Sequence, residues 1–294
     1  MDLVPEEIYL SVNEIDICCF RWGKPGGRQA MMVHATGFHA RCWDQVIARL
    51  PGDWDVVSID MRGHGRSEKK GPYKWEQFAS DLGEVASQLE IKNSIGIGHS
   101  MGGYCVTQVA ASLPEVFSDL VLIDPVIMSP DVYKTGLKKH TYESVEEHPV
   151  ARRRGHFVSW KDMLERYRDR SPYSLWDSKV FEDYCLYGVI PAENGDGVDL
   201  ACPGLVEASI YMGNSESSIH HQIPKVRQNT MILRAPPREA DSMDMDFTKS
   251  PTWPGLVDAF LNAREQYFER LTHFIPMQEP HLVAEVIKQT HDAY

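Results

Sequence analysis

The sequence predicts an α/β fold: a mostly parallel central sheet with helices on both faces, interrupted by an inserted helical cap. Three observations predict it. Short apolar runs alternate with segments of helical periodicity, the pattern of a parallel sheet covered on both sides. One run, Ile95-Gly96-Ile97-Gly98-His99-Ser100-Met101-Gly102-Gly103-Tyr104, turns sharply from strand to helix around a serine flanked by glycines. The rhythm then breaks between about residues 128 and 224, where apolar strands vanish and aromatic and charged residues rise.

Taken in order, residues 7–21 alternate apolar and polar around a turn at Val12-Asn13-Glu14, so a hairpin opens the sheet. Gln29-Ala30-Met31-Met32-Val33 is a short buried strand leading into the loop His34-Ala35-Thr36-Gly37-Phe38-His39, and residues 42–50 have helical spacing. Residues 55–60 form the next buried strand, which exits into Met61-Arg62-Gly63-His64-Gly65-Arg66-Ser67. Phe78, Leu82, Val85 and Leu89 share one face of an amphipathic helix over 75–89. The serine-bearing strand and its helix follow, then a strand over 118–125 whose end is fixed by Pro125. After the insertion the sheet resumes at Asn229-Thr230-Met231-Ile232-Leu233-Arg234. A loop rich in acid and proline, a helix near 256–261, a weak strand near 266–268 and a final helix over 280–290 complete the chain. The expected division is a core of 1–127 and 225–294 with a cap of 128–224 inserted after the strand that ends at Asp124. Chemistry in such sheets lies at the strand C-terminal ends.

At 294 residues the chain can bury a sizeable core. Its formal net charge of -12 argues against nucleic-acid and anionic-membrane partners, which require clustered basic surface. Cys18, Cys19, Cys42, Cys105, Cys185 and Cys202 show no C-x-x-C spacing and sit mostly among apolar residues, as buried thiols in a reducing compartment would. The first seven residues lack a basic and apolar leader pattern, and no run approaches the ~20 apolar residues of a membrane span. The expectation is a cytoplasmic enzyme, monomer or homodimer, acting on a small molecule without cofactor or metal.

Around Ser100 the residue types point to nucleophilic catalysis. A side chain at Gly98 or Gly102 would collide where strand and helix fold back, so the glycines let Ser100 stand exposed at a strand end. The helix start beside it offers backbone N–H groups to developing negative charge. No metal-ligand spacing or dinucleotide fingerprint appears, since Gly96-x-Gly98 belongs to this turn.

Four segments in fixed order carry a resemblance: the His34 to Phe38 loop, Asp60-Met61-Arg62-Gly63-His64-Gly65-Arg66-Ser67, the serine turn, and Thr272-His273-Phe274-Ile275-Pro276-Met277. Across nearly its whole length the sequence resembles the serine-nucleophile branch of the α/β-hydrolase fold superfamily. The resemblance implies that Ser100 is the nucleophile, His273 the base, and a carboxylate between them in sequence the third member. Serine at the elbow disfavours the branches that attack through a carboxylate. His281 reads as a helix residue, His99 as packing, His34 as a brace for the first loop and His64 as a turn cap.

Two strand ends can supply the acid. Asp124 ends the strand after the elbow helix, whereas Glu239 and Asp241 follow the strand after the cap, in Pro236-Pro237-Arg238-Glu239-Ala240-Asp241, without the common Gly-x-x-Asp pattern. For the oxyanion hole the resemblance implies the N–H groups of Met101 and Thr36, with Gly37 or Phe38 as replacements if the loop bulges. A cap over Ser100 must also wall a pocket, so Phe38, Trp160, Trp176 and Tyr187 are expected substrate contacts. Arg152-Arg153-Arg154 reads either as a solvated face or as a clamp for a carboxylate or acyl-carrier phosphate. The resulting expectation is a serine hydrolase of a small or medium hydrophobic carboxylic ester or lactone. A carbon–carbon bond hydrolase of a diketone or ring-cleavage product and a hydrolase-like ligand receptor are the alternatives.

Overall fold

A two-residue turn starts the sheet. In the computed structural model, which describes residues 4–135, 142–213, 218–238, 246 and 248–292, β1 (Glu6–Val12) and β2 (Ile15–Gly23) pair antiparallel. Asn13 and Glu14 between them adopt φ of 45° and 66°, the left-handed pair that matches strand twist in a tight hairpin. β3 (Gln29–Val33) and β4 (Asp55–Ile59) follow, with the short α1 (Asp44–Ile47) between them. Then come α2 (Trp75–Gln88), β5 (Ser94–His99), α3 (Met101–Ser112) and β6 (Phe117–Ile123). In the inserted region are α4 (Pro130–Thr135), β7 (His156–Phe157), α5 (Trp160–Tyr167), α6 (Ser178–Tyr187), β8 (Val189–Pro191), β9 (Val198–Leu200) and α7 (Gly204–Met212). β10 (Asn229–Arg234), α8 (Leu256–Ala259), β11 (Ala263–Tyr267), α9 (Ile275–Gln278) and α10 (Pro280–Asp292) end the chain.

Eight strands form one sheet in the order β1-β2-β4-β3-β5-β6-β10-β11, parallel from β4 onward. Alternation along each central strand splits the core. Met31, Val33, Val57 and Ile59 pack with Trp75, Phe78, Leu82 and Tyr104 of α2 and α3 on one face. Met32, Val56, Ile95 and Ile97 pack with Val46, Ile47, Val283 and Ile287 on the other. Both faces are thus covered, as a buried parallel sheet requires. All six cysteines are buried free thiols.

Two sequence expectations need correction. The segment over 42–50 is a 3₁₀ turn at Ala40–Trp43 running into the four-residue α1. The inserted region carries, beside its helices α4 to α7, a small antiparallel sheet of β7, β9 and β8 that the sequence reading did not include. Strands of two or three residues are too short to show alternation. The insertion docks through aromatics: Trp176, Phe181 and Tyr184 form one cluster with Phe38, Phe274 and Met277 of the core. Asp177 N–H also donates to the Met277 carbonyl at 2.8 Å.

Candidate active site

Ser100 sits between the C-terminal end of β5 and the first turn of α3 with φ 58° and ψ -118°, a conformation costly for a side chain larger than glycine. The glycines make the turn possible. A Cβ at Gly98 would fall inside the van der Waals envelope of the Gly102 carbonyl, and one at Gly102 inside that of the Val33 carbonyl. The neighbouring strands fix the turn further, since Ser100 N–H donates to the Ile123 carbonyl at 3.0 Å and Val126 N–H to the Ser100 carbonyl at 3.1 Å.

His273 lies in the loop between β11 and α9. Its Nε2 is 3.0 Å from Ser100 Oγ, and its Nδ1 is 2.6 Å from Asp124 Oδ2. An ionised carboxylate only accepts, so Nδ1 carries the proton and Nε2 is free to accept from the serine hydroxyl. The backbone of His273 is held on both sides: its N–H donates to the Thr248 carbonyl at 2.8 Å, and its carbonyl accepts from His99 Nε2 at 2.8 Å. Burial pushes the His99 pKa well below the ordinary histidine value, so the ring is a neutral Nε2–H donor. The residue read as packing therefore also fixes the loop of His273.

Asp124 is fully buried just past β6, with φ 44°. Its Oδ1 accepts from Ala235 N–H at 3.0 Å and from Ser250 Oγ at 2.6 Å, with Thr252 Oγ1 at 3.5 Å. These donors anchor Oδ1 and leave Oδ2 aimed at the imidazole. Glu239 and Asp241 lie outside the described residues.

The loop after β3 reaches over the same point. Gly37 N–H donates to His64 Nε2 at 3.0 Å, and Phe38 N–H to the Ala35 carbonyl at 3.1 Å, so both are occupied. Thr36 N–H has no partner among the described residues, and Met101 N–H, first in its helix, has no intrahelical acceptor. Among the described residues these two N–H groups are thus without a partner, one on a residue that lines the cavity with Ser100 and one on the residue that follows it. His34 braces the loop as expected, with Nδ1 2.7 Å from the Ala35 carbonyl and Nε2 accepting from Met61 N–H at 3.0 Å. His64 supports Gly37 rather than only a turn. Burial holds both rings neutral, which their accepting nitrogens require.

A model described as the Alpha/beta hydrolase family matches residues 30–286. The chain belongs to the alpha/beta hydrolase family. Serine hydrolase-like protein 2 of Homo sapiens is 23% identical over 300 residues, covering 96% of this chain and 92% of that protein. Serine hydrolase-like protein of Danio rerio is 28% identical over 160 residues, covering 52% of this chain and 49% of the zebrafish protein. Among solved structures, E-2-(acetamidomethylene)succinate hydrolase superposes with a TM-score of 0.77 at 17% identity, covering 99% of this chain and 100% of that one. The enol-lactonase from Burkholderia xenovorans LB400 superposes with a TM-score of 0.65 at 17% identity, covering 96% and 99%.

In this alpha/beta hydrolase the space above Ser100 is a cavity of about 550 Å³ between core and insertion. Phe38 and Trp176, two of the expected substrate contacts, line it together with Tyr173, Tyr184 and Phe274. Trp160 and Tyr187 do not. Trp160 begins α5, packs half-buried against the aromatic cluster that joins insertion and core and lies under Lys161, while the buried residue of its helix is Met163. Tyr187 ends α6 one turn past Tyr184, and its ring faces the Arg41 guanidinium at 3.8 Å. Arg152 and Arg154 are exposed, but Arg153 turns inward to Glu207 at 2.5 Å and to Tyr184 Oη at 3.2 Å. Glu207, His148, Tyr211 and Arg238 also line the cavity and escaped the sequence reading. Glu207, buried on α7, breaks no pattern that a solvated helix residue would keep. Arg238 lies in a loop without periodicity. No helix among the described residues is long and apolar enough to cross a membrane.

Proposed function

We propose that this family member is a serine hydrolase that cleaves a small or medium carboxylic ester or lactone through an acyl-enzyme on Ser100. The observation that carries the reading is the continuous hydrogen-bonded chain from Ser100 through His273 to Asp124, opening into an aromatic cavity. His273 Nε2 takes the hydroxyl proton as Ser100 Oγ attacks the carbonyl carbon, and Asp124 stabilises the imidazolium without taking its proton. The carbonyl oxygen, now negative, is received by the Thr36 and Met101 N–H groups. A preorganised donor of this kind contributes about 3–4 kcal/mol to transition-state stabilisation. Collapse expels the alcohol, which leaves with the proton held on His273. Water then attacks the acyl-enzyme with the same imidazole as base, which returns free Ser100 and the acid. The apolar lining of Phe38, Tyr173, Trp176 and Phe274 suits a hydrophobic substrate body.

The test is Ser100→Ala assayed with 4-nitrophenyl butyrate. Turnover should fall by about 10⁴-fold or more, with the urea unfolding midpoint unchanged. A variant as active as the parent overturns the mechanism.

A further inference from the structure

Resting on that reading of Ser100, we infer that the cavity selects substrates carrying a carboxylate away from the scissile bond, and that Arg238 is the residue that binds it. The cavity holds two arginines of different standing. Arg153 is neutralised by Glu207 at 2.5 Å and shares a hydrogen bond with Tyr184. Arg238 lines the same cavity and its guanidinium forms no ion pair or hydrogen bond with any described residue.

Among the described residues, the carboxylates within electrostatic reach of Arg238 are already committed. Asp124 receives Ala235 N–H, Ser250 Oγ and His273 Nδ1. Asp246 receives Thr248 N–H at 2.8 Å and Thr248 Oγ1 at 2.5 Å. In agreement, loss of hydration outweighs these charges and pulls the Arg238 pKa below the ordinary guanidinium value. An exposed arginine that also lines an apolar cavity, with no counter-charge paired to it among the described residues, matches the planar, bidentate demand of a carboxylate.

Position supports the assignment as well. Arg238 N–H donates to the Ser250 carbonyl at 3.3 Å, and Ser250 N–H to the Pro236 carbonyl at 2.8 Å. Ser250 Oγ in turn donates to Asp124 at 2.6 Å, so the loop carrying Arg238 is fastened to the carboxylate that orients His273. A second donor faces the cavity. His148 Nδ1 accepts from Val150 N–H at 3.3 Å, which leaves a neutral ring with its proton on Nε2. His148 stacks on Tyr211 with ring centroids 5.5 Å apart, and both line the cavity with Arg238.

Two matched pairs of esters test the inference. Monomethyl adipate against methyl hexanoate places the charge on the acyl side; 4-acetoxybutyrate against butyl acetate places it on the alcohol side. In Arg238→Met the ratio of kcat/KM for the anionic to the neutral ester should fall about tenfold to a hundredfold in one of the pairs. Arg238→Lys should recover part of that ratio. An unchanged ratio in both pairs overturns the inference. Adipate binding to Ser100→Ala, followed by the fluorescence of Trp176 in the cavity wall, reads the site without turnover. Saturable binding weakened at least tenfold by adding Arg238→Met supports the carboxylate site even if no ester is hydrolysed, which would instead refute the proposed mechanism. Absence of saturable binding overturns the carboxylate site whatever the esterase activity.

Discussion

Asp124 does two jobs with its two oxygens: Oδ1 is tied into the scaffold by Ala235 N–H and Ser250 Oγ, and Oδ2 fixes the tautomer of His273. That division predicts the effect of Asp124→Asn. The amide keeps the size, but it can offer an N–H to Nδ1 and so move the imidazole proton to Nε2, where it cannot accept from Ser100. kcat should drop by about 10⁴ with little change in KM. A variant that keeps most of its activity would show that another carboxylate, such as Glu239 or Asp241, serves His273. At this scale the sequence was partly readable. Ser100 and His273 are marked by neighbours and by chain order, whereas the choice among Asp124, Glu239 and Asp241 depends on which strand end meets one loop. That is a tertiary fact, and so are the donors Ser250 and Thr252 and the unpaired Arg238.

Among the elements, the strand–turn–helix of β5 and α3 was the most legible because sterics write it into the sequence. Gly98 and Gly102 are there because carbonyls occupy the space a Cβ would need. Gly98→Ala must push α3 away from β5, and the obstacle is backbone with no rotamer to yield. It should lower stability by about 1–3 kcal/mol in urea unfolding and cost about 10²-fold in kcat, the expected effect of moving Ser100 by about 1 Å. Unchanged stability and rate would mean that the turn is not under this constraint. The helices of the insertion were less legible in detail. Aromatic content marks them as core-forming, yet only the docked geometry decides that Trp176 and Tyr184 face the cavity while Trp160 and Tyr187 do not. The strands β7, β8 and β9 left no periodic trace.

Across the whole molecule, the sheet brings together residues far apart in sequence. β3, β5, β6 and β10 lie side by side in the order β3-β5-β6-β10, so the loop with Thr36, the turn with Ser100, the end with Asp124 and the loop after Ala235 share one rim. His273 is delivered to that rim by the loop after β11, the neighbour of β10. The insertion closes over them, and His39 fastens the first loop to it, with Nε2 3.1 Å from the Tyr184 carbonyl. Burial lowers the His39 pKa to about 4, so this contact is made by a neutral ring. The alternation of strands and helices fixed this rim in advance, because a parallel sheet points all its C-terminal ends the same way. The cavity walls follow from loops and an insertion that carry no such rule.

The most direct test of Ser100 as an activated nucleophile is covalent labelling with a fluorophosphonate probe, read by intact mass and peptide mapping. One adduct per chain should form, on Ser100, and should vanish in Ser100→Ala and slow sharply in His273→Ala. A folded protein that stays unlabelled, or that carries the label on another residue, would contradict the account.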